Sequence, residues 1–269
     1  MASETLVRAD GIAGEWVRPK NRWQNVGPTS IHNDAVAKKV GMRGGTIPGT
    51  VHLSHFAPLL TQLFGDRWLS QGTISMFYTF ATLDGEEVRA VAKAPETDAA
   101  DVQLEAWVET PEGKTVCKGA VSVGRPDAVP YVRGLPLENA PADEIRILKA
   151  MTVGQEIGAK DDYVIPGDVG VDGIVSDPQQ MHRALSVYTT GVELGPAVGF
   201  YGATEIALRA GPIRTGVPYR KTGRVVCVGA SPKTEFAWFD SEFRDQDGRL
   251  IAEMRHMTRW MKASHPAWA

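Results

Sequence analysis

Apolar and polar positions alternate along four stretches of this chain, and a period of two marks a strand with one buried face. Residues 73–91 alternate and turn at Leu83-Asp84-Gly85; residues 203–228 do the same around Arg214-Thr215-Gly216. Each predicts a β-hairpin whose glycine supplies the positive φ of the turn. Residues 102–123 predict a further hairpin, turning at Thr110-Pro111-Glu112-Gly113. Residues 236–260 predict its counterpart, turning at Asp245-Gln246-Asp247-Gly248. Gly85 and Gly216 are 131 positions apart, Gly113 and Gly248 are 135 apart. A nearly constant offset over two consecutive hairpins predicts two similar halves.

Each half also carries one apolar helical pattern ahead of its hairpins. In Val51 to Phe64, apolar residues at 53, 56, 57, 60, 63 and 64 follow a 3.6 period. Pro58 predicts a kink inside it and Gly65 an end. The second helix is predicted from about Asp177 to Leu194, with apolar positions at 181, 184, 185, 188 and 192. Ser176 or Asp177 can cap it, Pro178 suits its first turn, and Gly195-Pro196 stops it. Residues 124–142, rich in Pro and Gly, read as a linker or crossing segment, closed by a short helix from Ala142 to Met151. Each half is therefore one mostly buried helix followed by an antiparallel sheet. Two such α+β units in one chain fit a double hot dog; another α+β sandwich fits the same pattern. The expected division is an N-terminal unit at 1–128, a linker at 129–150 and a C-terminal unit at 151–269.

Composition narrows the classes. With 43% hydrophobic residues over 269 positions, the chain can bury a substantial core. No run of about 18 apolar residues predicts a spanning helix. The first ten residues carry acids and no apolar core, unlike a secretory signal, so a cytoplasmic location is expected. Cys117 and Cys227 are too few for a disulfide framework and read as reduced, structural thiols. A net charge of −3 with no basic block speaks against nucleic acid. The small patches Arg18-Pro19-Lys20 with Arg22, and Arg220-Lys221, suit one anionic ligand at most.

The stretch from Thr29 to Gly49 holds the chemistry. Its Ile31-His32-Asn33-Asp34, Ala37-Lys38-Lys39-Val40-Gly41 and Ile47-Pro48-Gly49 resemble the MaoC-like (R-specific enoyl-CoA) hydratase/dehydratase family. Asp245 to Glu253 is similar to the last hairpin of such a unit. The resemblance implies a double hot-dog fold and an acyl-CoA or acyl-carrier-protein thioester bound beside the central helix. It implies a homodimer or higher homo-oligomer; no cofactor is expected, and the charge and the lack of a long apolar run lead to the expectation of no nucleic-acid or membrane partner. In the family an Asp and a His, ordered Asp-x-Asn-Pro-x-His, move the two protons of hydration. Here Gly27 stands where the Asp would be, Thr29 replaces Asn and Ser30 replaces Pro. The His is kept and its partner is not.

His32 is therefore the leading acid/base candidate, since imidazole exchanges protons near neutral pH. Asp34 is a second catalytic candidate and equally an N-cap for residues 35–40. Asn33 could orient a carbonyl or a water. His52 and His55 lie three apart on the central helix and could reach the substrate groove; with no third ligand nearby, no metal is expected. Gly49, Thr50 and Val51 open that helix, where free backbone N–H groups could bind a carbonyl oxygen. Asp168, Asp172 and Glu205 are the acids that could replace the missing one. Tyr78, Trp107, Tyr201 and Trp238 lie on predicted strands, as core or as walls of an acyl pocket. The leading reading is an acyl-thioester hydratase/dehydratase-like lyase using His32 with a non-standard carboxylate partner. A thioesterase, isomerase or other lyase in the same groove, and a non-catalytic thioester-binding subunit, are the alternatives.

Overall fold

The computed structural model describes residues 6–8, 11–96, 99–187 and 192–269. The first half contains β1 (Leu6–Arg8), β2 (Gly11–Ala13), α1 (Asp34–Lys39), α2 (Val51–Ser54), α3 (Ala57–Phe64), α4 (Arg67–Gln71), β3 (Gly72–Tyr78), β4 (Arg89–Ala92), β5 (Val102–Glu109) and β6 (Thr115–Val123). The second contains β7 (Lys160–Val164), α5 (Pro178–Leu185), β8 (Gly199–Leu208), β9 (Pro218–Ala230), β10 (Thr234–Arg244) and β11 (Leu250–Met261). All strands join one sheet in the order β1-β2-β4-β5-β6-β3-β8-β11-β10-β9-β7. Its centre reads as two copies of one four-stranded motif meeting at β3 and β8. This is a double hot dog, with α2–α3 and α5 buried against the sheet. Among the described residues no helix is long and apolar enough to cross a membrane.

A local two-fold axis passes through the central ladder, where Ser75 faces Glu205, 130 positions away. Glu205 is fully buried there. Its carboxylate accepts from the Ser75 hydroxyl at 2.9 Å and from Arg133 Nε at 2.9 Å. A buried charge persists only when paired and hydrogen-bonded. Arg133 and the buried Val132, whose N–H donates to Ser75 Oγ at 2.8 Å, bring the crossing segment beneath the junction.

The hairpins 102–123 and 236–260 form as predicted, as β5–β6 and β10–β11. The other two do not. β3 pairs with β6 and β8, and β4 pairs with β2 and β5; β8 and β9 are likewise apart. Alternation reports a buried face, not the neighbouring strand. The turn at Gly85 is real, with φ +73°, but it joins strands that pair elsewhere.

The first helix breaks between α2 and α3. Pro58 has no N–H to continue the ladder and sits in the first turn of α3, where none is needed. α4 was not expected from the pattern. It packs on β3, β6 and β8, and a Cβ on Gly211 would strike the Leu69 carbonyl oxygen. The second helix starts as expected: Asp177 caps it through Gln179 N–H at 2.8 Å. It stops at Leu185 rather than Leu194, because Lys221 Nζ bonds the Ala184 and Ser186 carbonyls at 2.7 and 2.6 Å. Position 188 of the predicted helix lies outside the described residues. The helix expected over Ala142–Met151 is only a turn of 3₁₀ helix at Ala142–Glu144. The N–H groups of Arg146, Ile147 and Leu148 donate to the Glu235 carboxylate at 2.9–3.0 Å instead of to carbonyls of a helix. Cys117 and Cys227 are buried and form no disulfide.

Candidate functional site

The loop before α1 is pinned from both sides. Asn21 Nδ2 donates to the His32 carbonyl at 2.8 Å, and Thr46 N–H donates to the Ile31 carbonyl at 3.0 Å. Gly45 is required by this packing, since a Cβ there would strike the His32 carbonyl oxygen. Ser30 bridges to Gly199 at the start of β8, tying the loop to the other half. His32 is thus held with its ring half-buried and Nδ1 2.7 Å from the Thr46 carbonyl oxygen. A carbonyl can only accept, so Nδ1 carries the proton and Nε2 keeps its lone pair. Burial lowers the His32 pKa, with the Thr46 carbonyl opposing the shift. The ring is neutral at pH 7 and suited to act as a base.

His32 lines a cavity of about 690 Å³, within the range of small-molecule sites. The first half contributes Val26, Gly27, Thr29–His32, Met42, Thr46–Gly49, His52 and Tyr78–Ala81. The second contributes Gly199, Phe200, Tyr201, Thr258 and Trp260. Among the described residues, no Asp, Glu, Lys or Arg lines the cavity.

The predicted residues divide accordingly. His32, Gly49 and His52 line the cavity; Asn33, Asp34, Thr50, Val51 and His55 do not. The cap of α1 is Asn33, whose Oδ1 accepts from Ala35 and Val36 N–H at 3.0 and 3.2 Å, and not Asp34. Asp34 is one residue too late to cap. Its carboxylate, 66% exposed, pairs with Lys38 at 2.7 Å and accepts from Gly45 N–H at 3.2 Å. Lys38 holds its pKa below the usual carboxylate range. Gly49 is small because the Tyr78 ring lies 3.1 Å from where its Cβ would be. The carboxylates considered as replacements lie elsewhere: Glu205 at the axis, Asp168 and Asp172 exposed. Tyr78 and Tyr201 are walls of the cavity. Trp107 bonds Glu109 and Trp238 is core.

His52 is 2% exposed, with Nε2 3.0 Å from Thr82 Oγ1 and no partner for Nδ1. Burial takes its pKa to about 3 and that of His55 to about 4, so both are neutral. His52 has a counterpart 130 positions on. Pro48 and His52 match Pro178 and His182, four apart in each case. This repeated Pro-x-x-x-His, at the offset of the two-fold axis, was a signal available in the sequence. His182 packs against His256 at 4.8 Å and Tyr201 at 5.2 Å between ring centroids, inside the second half.

Neither a protein-family model nor a curated protein sequence matches the chain. Solved structures do. The chain matches a MaoC domain protein dehydratase from Chloroflexus aurantiacus J-10-fl with a TM-score of 0.57 at 11% identity, over 97% of this chain and 95% of that one. The dehydratase domain of PpsC from Mycobacterium tuberculosis, solved in complex with C12:1-CoA, gives 0.56 at 12%, over 97% and 98%. A hot-dog protein of unknown function from Alicyclobacillus acidocaldarius gives 0.52 at 14%, over 96% of each. The likeness runs the length of the chain and establishes the fold shared with MaoC-type dehydratases.

Proposed function

We propose that this chain acts on acyl thioesters as a hydratase/dehydratase-like lyase, with His32 as its proton carrier. The observation that carries the reading is the His32 ring, held at Nδ1 by the Thr46 carbonyl and lining an open cavity. With no carboxylate in the wall among the described residues, one imidazole serves both proton transfers. In the dehydration direction, Nε2 takes a proton from Cα of a 3-hydroxyacyl thioester. The imidazolium then returns that proton to the departing β-hydroxyl, giving the 2-enoyl thioester and water. His32 ends as it began, and the Thr46 carbonyl keeps the ring oriented throughout. The backbone N–H of Gly49, at the cavity wall, is the candidate to polarise the thioester carbonyl. Residues 1–128 and 151–269 act as two units, the first supplying the base and the second one wall.

The test follows the enone absorbance of crotonyl-CoA and of a longer or aromatic 2-enoyl-CoA, alongside thiol release. Loss of the enone band without free thiol supports hydration, and His32→Ala should slow it about 10²–10⁴-fold. Free thiol would replace the lyase by a thioesterase. A His32→Ala variant at wild-type rate would remove His32 from the mechanism.

A further inference from the structure

Glu235 is fully buried and lines no part of the cavity. A carboxylate tolerates such burial only when donors fill its lone pairs. The N–H groups of Arg146, Ile147 and Leu148 supply three, and Trp268 Nε1 adds a fourth at 2.7 Å. Two cations lie over the Trp268 indole, Arg146 Cζ at 4.2 Å and Lys262 Nζ at 4.0 Å from a ring centroid. Arg146 Nη1 also donates to the Ala267 carbonyl at 2.9 Å. Residues 262–268, two turns of 3₁₀ helix after β11, are thereby clamped onto the second half.

The same residues hold the chain that enters β8. Val198 N–H donates to Ser264 Oγ at 2.9 Å, and Met261 N–H donates to the Val198 carbonyl at 2.9 Å. Both backbone groups of Val198 are thus spent on residues 261–264. Gly199 comes next, lines the cavity and bridges to Ser30 of the base-bearing loop. Ser30 Oγ accepts from His32 N–H at 3.2 Å. Contacts therefore run without a break from Glu235 to His32. Trp260 adds a parallel route: it stands opposite Glu235 in the β10–β11 ladder, shares an apolar cluster with Trp268 and lines the cavity. Asn21 and Thr46 hold the His32 loop from its own half, and this path holds it from the other. A reacting group is placed only as well as the residues behind its support.

We infer that Trp268 is a positioning residue for His32: by clamping residues 262–268 onto Glu235, it fixes where the second half meets the base-bearing loop. The inference rests on the proton-carrier reading for what His32 does; where the ring sits does not depend on that reading.

NMR titration of the histidine Cε1–H signals reads the ring with no substrate present, the His32 signal being identified by its loss in His32→Ala. Burial lowers the His32 pKa, and among the described residues no Asp, Glu, Lys or Arg lines the cavity, so the midpoint reports how buried the ring is. Trp268→Ala should raise that midpoint toward about 6.5. It should also lower kcat on crotonyl-CoA about 10–10²-fold with KM within about threefold. Trp268→Phe keeps a ring for the two cations but loses the N–H, and should fall between wild type and Trp268→Ala. Trp68→Ala, on α4 and outside this path, controls for general loosening and should leave the His32 midpoint at its wild-type value. An unmoved His32 midpoint in Trp268→Ala, an unchanged kcat in an active enzyme, or an equal rise in Trp68→Ala overturns the inference; the thioester reading is then judged by wild-type turnover alone. If the midpoint rises as expected while wild type turns over no enoyl-CoA, the clamp stands and the thioester reading falls. Should Trp268→Ala not fold, the Trp268→Phe midpoint decides in the same way.

Discussion

The junction of β3 and β8 has two ends related by the local two-fold, and they have opposite fates. At one end, Tyr78–Ala81 beyond β3 meet Gly199–Tyr201, and a cavity opens between them. At the other end, residues 67–71 before β3 are wound into α4 and cover the end of β8. The positions 130 further on, 197–201, are mostly extended strand and form a wall instead. The histidines follow suit. His52 lines the cavity with an unpaired Nδ1, while His182 is packed against His256 and Tyr201. One helix-on-sheet plan thus gives a cavity or a core, and the stretch equivalent to residues 67–71 is helical at one end and extended at the other.

The largest effect belongs to the open end. Burial lowers the His32 pKa, and the proposed base is the neutral ring. Turnover should therefore persist below the imidazole's ordinary pKa of about 6.5 and fall only as Nε2 is protonated at lower pH. A profile of kcat/KM against pH in wild type, with its acid limb absent from the residual His32→Ala activity, would tie the limb to this ring. The plugged end should answer in stability. Trp68, on α4, is 1% exposed. Trp68→Ala should cost about 3–5 kcal/mol by denaturant titration, with turnover per folded molecule retained. Loss of turnover in the folded variant would mean that the two ends are coupled.

A smaller effect sits under α5. Lys221 is buried beneath the helix end, and burial takes its pKa down to about 8, against about 10.4 in an unfolded chain. Between these values the unfolded chain holds a proton that the folded chain has released. Stability from this group therefore rises with pH across that window, and the cost of burying the ammonium is fully present below it. Urea midpoints at pH 7, 9 and 10 should show wild type gaining on Lys221→Met; parallel midpoints would refute the linkage. The smallest effect is expected at Gly27. Its φ is +67°, and nothing lies within 4 Å of a Cβ there. Asp tolerates that conformation better than most residues. Gly27→Asp should fold with a loss under about 1 kcal/mol and change hydration less than His32→Ala does. A large gain in rate would show that a two-group mechanism is the better one for this cavity.

Much of this was legible in residues. The turns at Gly113 and Gly248, the cap at Asp177 and the break at Pro58 depend on local chemistry, which a sequence carries. The pairing of β3 with β8 rather than β4 depends on contacts 130 positions apart, which alternation does not encode. The helix missing over residues 145–148 was lost to a carboxylate on β10, far along the chain. At the site, His32 stood out because its motif is local. Tyr201 was legible only as core or pocket wall, and Thr258 and Trp260 not as wall residues at all, since their place comes from the other half folding against the loop. The cap assigned to Asp34 was off by one residue, because Asn33 and Asp34 are both good caps and only backbone geometry chooses.

The cavity has walls from residue 26 and from residue 260. During synthesis, the loop bearing His32 emerges long before β11 exists to pair with β8. A nascent chain therefore has the His32 loop but no pocket, and contacts so distant in sequence close late in folding. If the proposed function holds, an amino-terminal fragment lacking β11 should show no turnover.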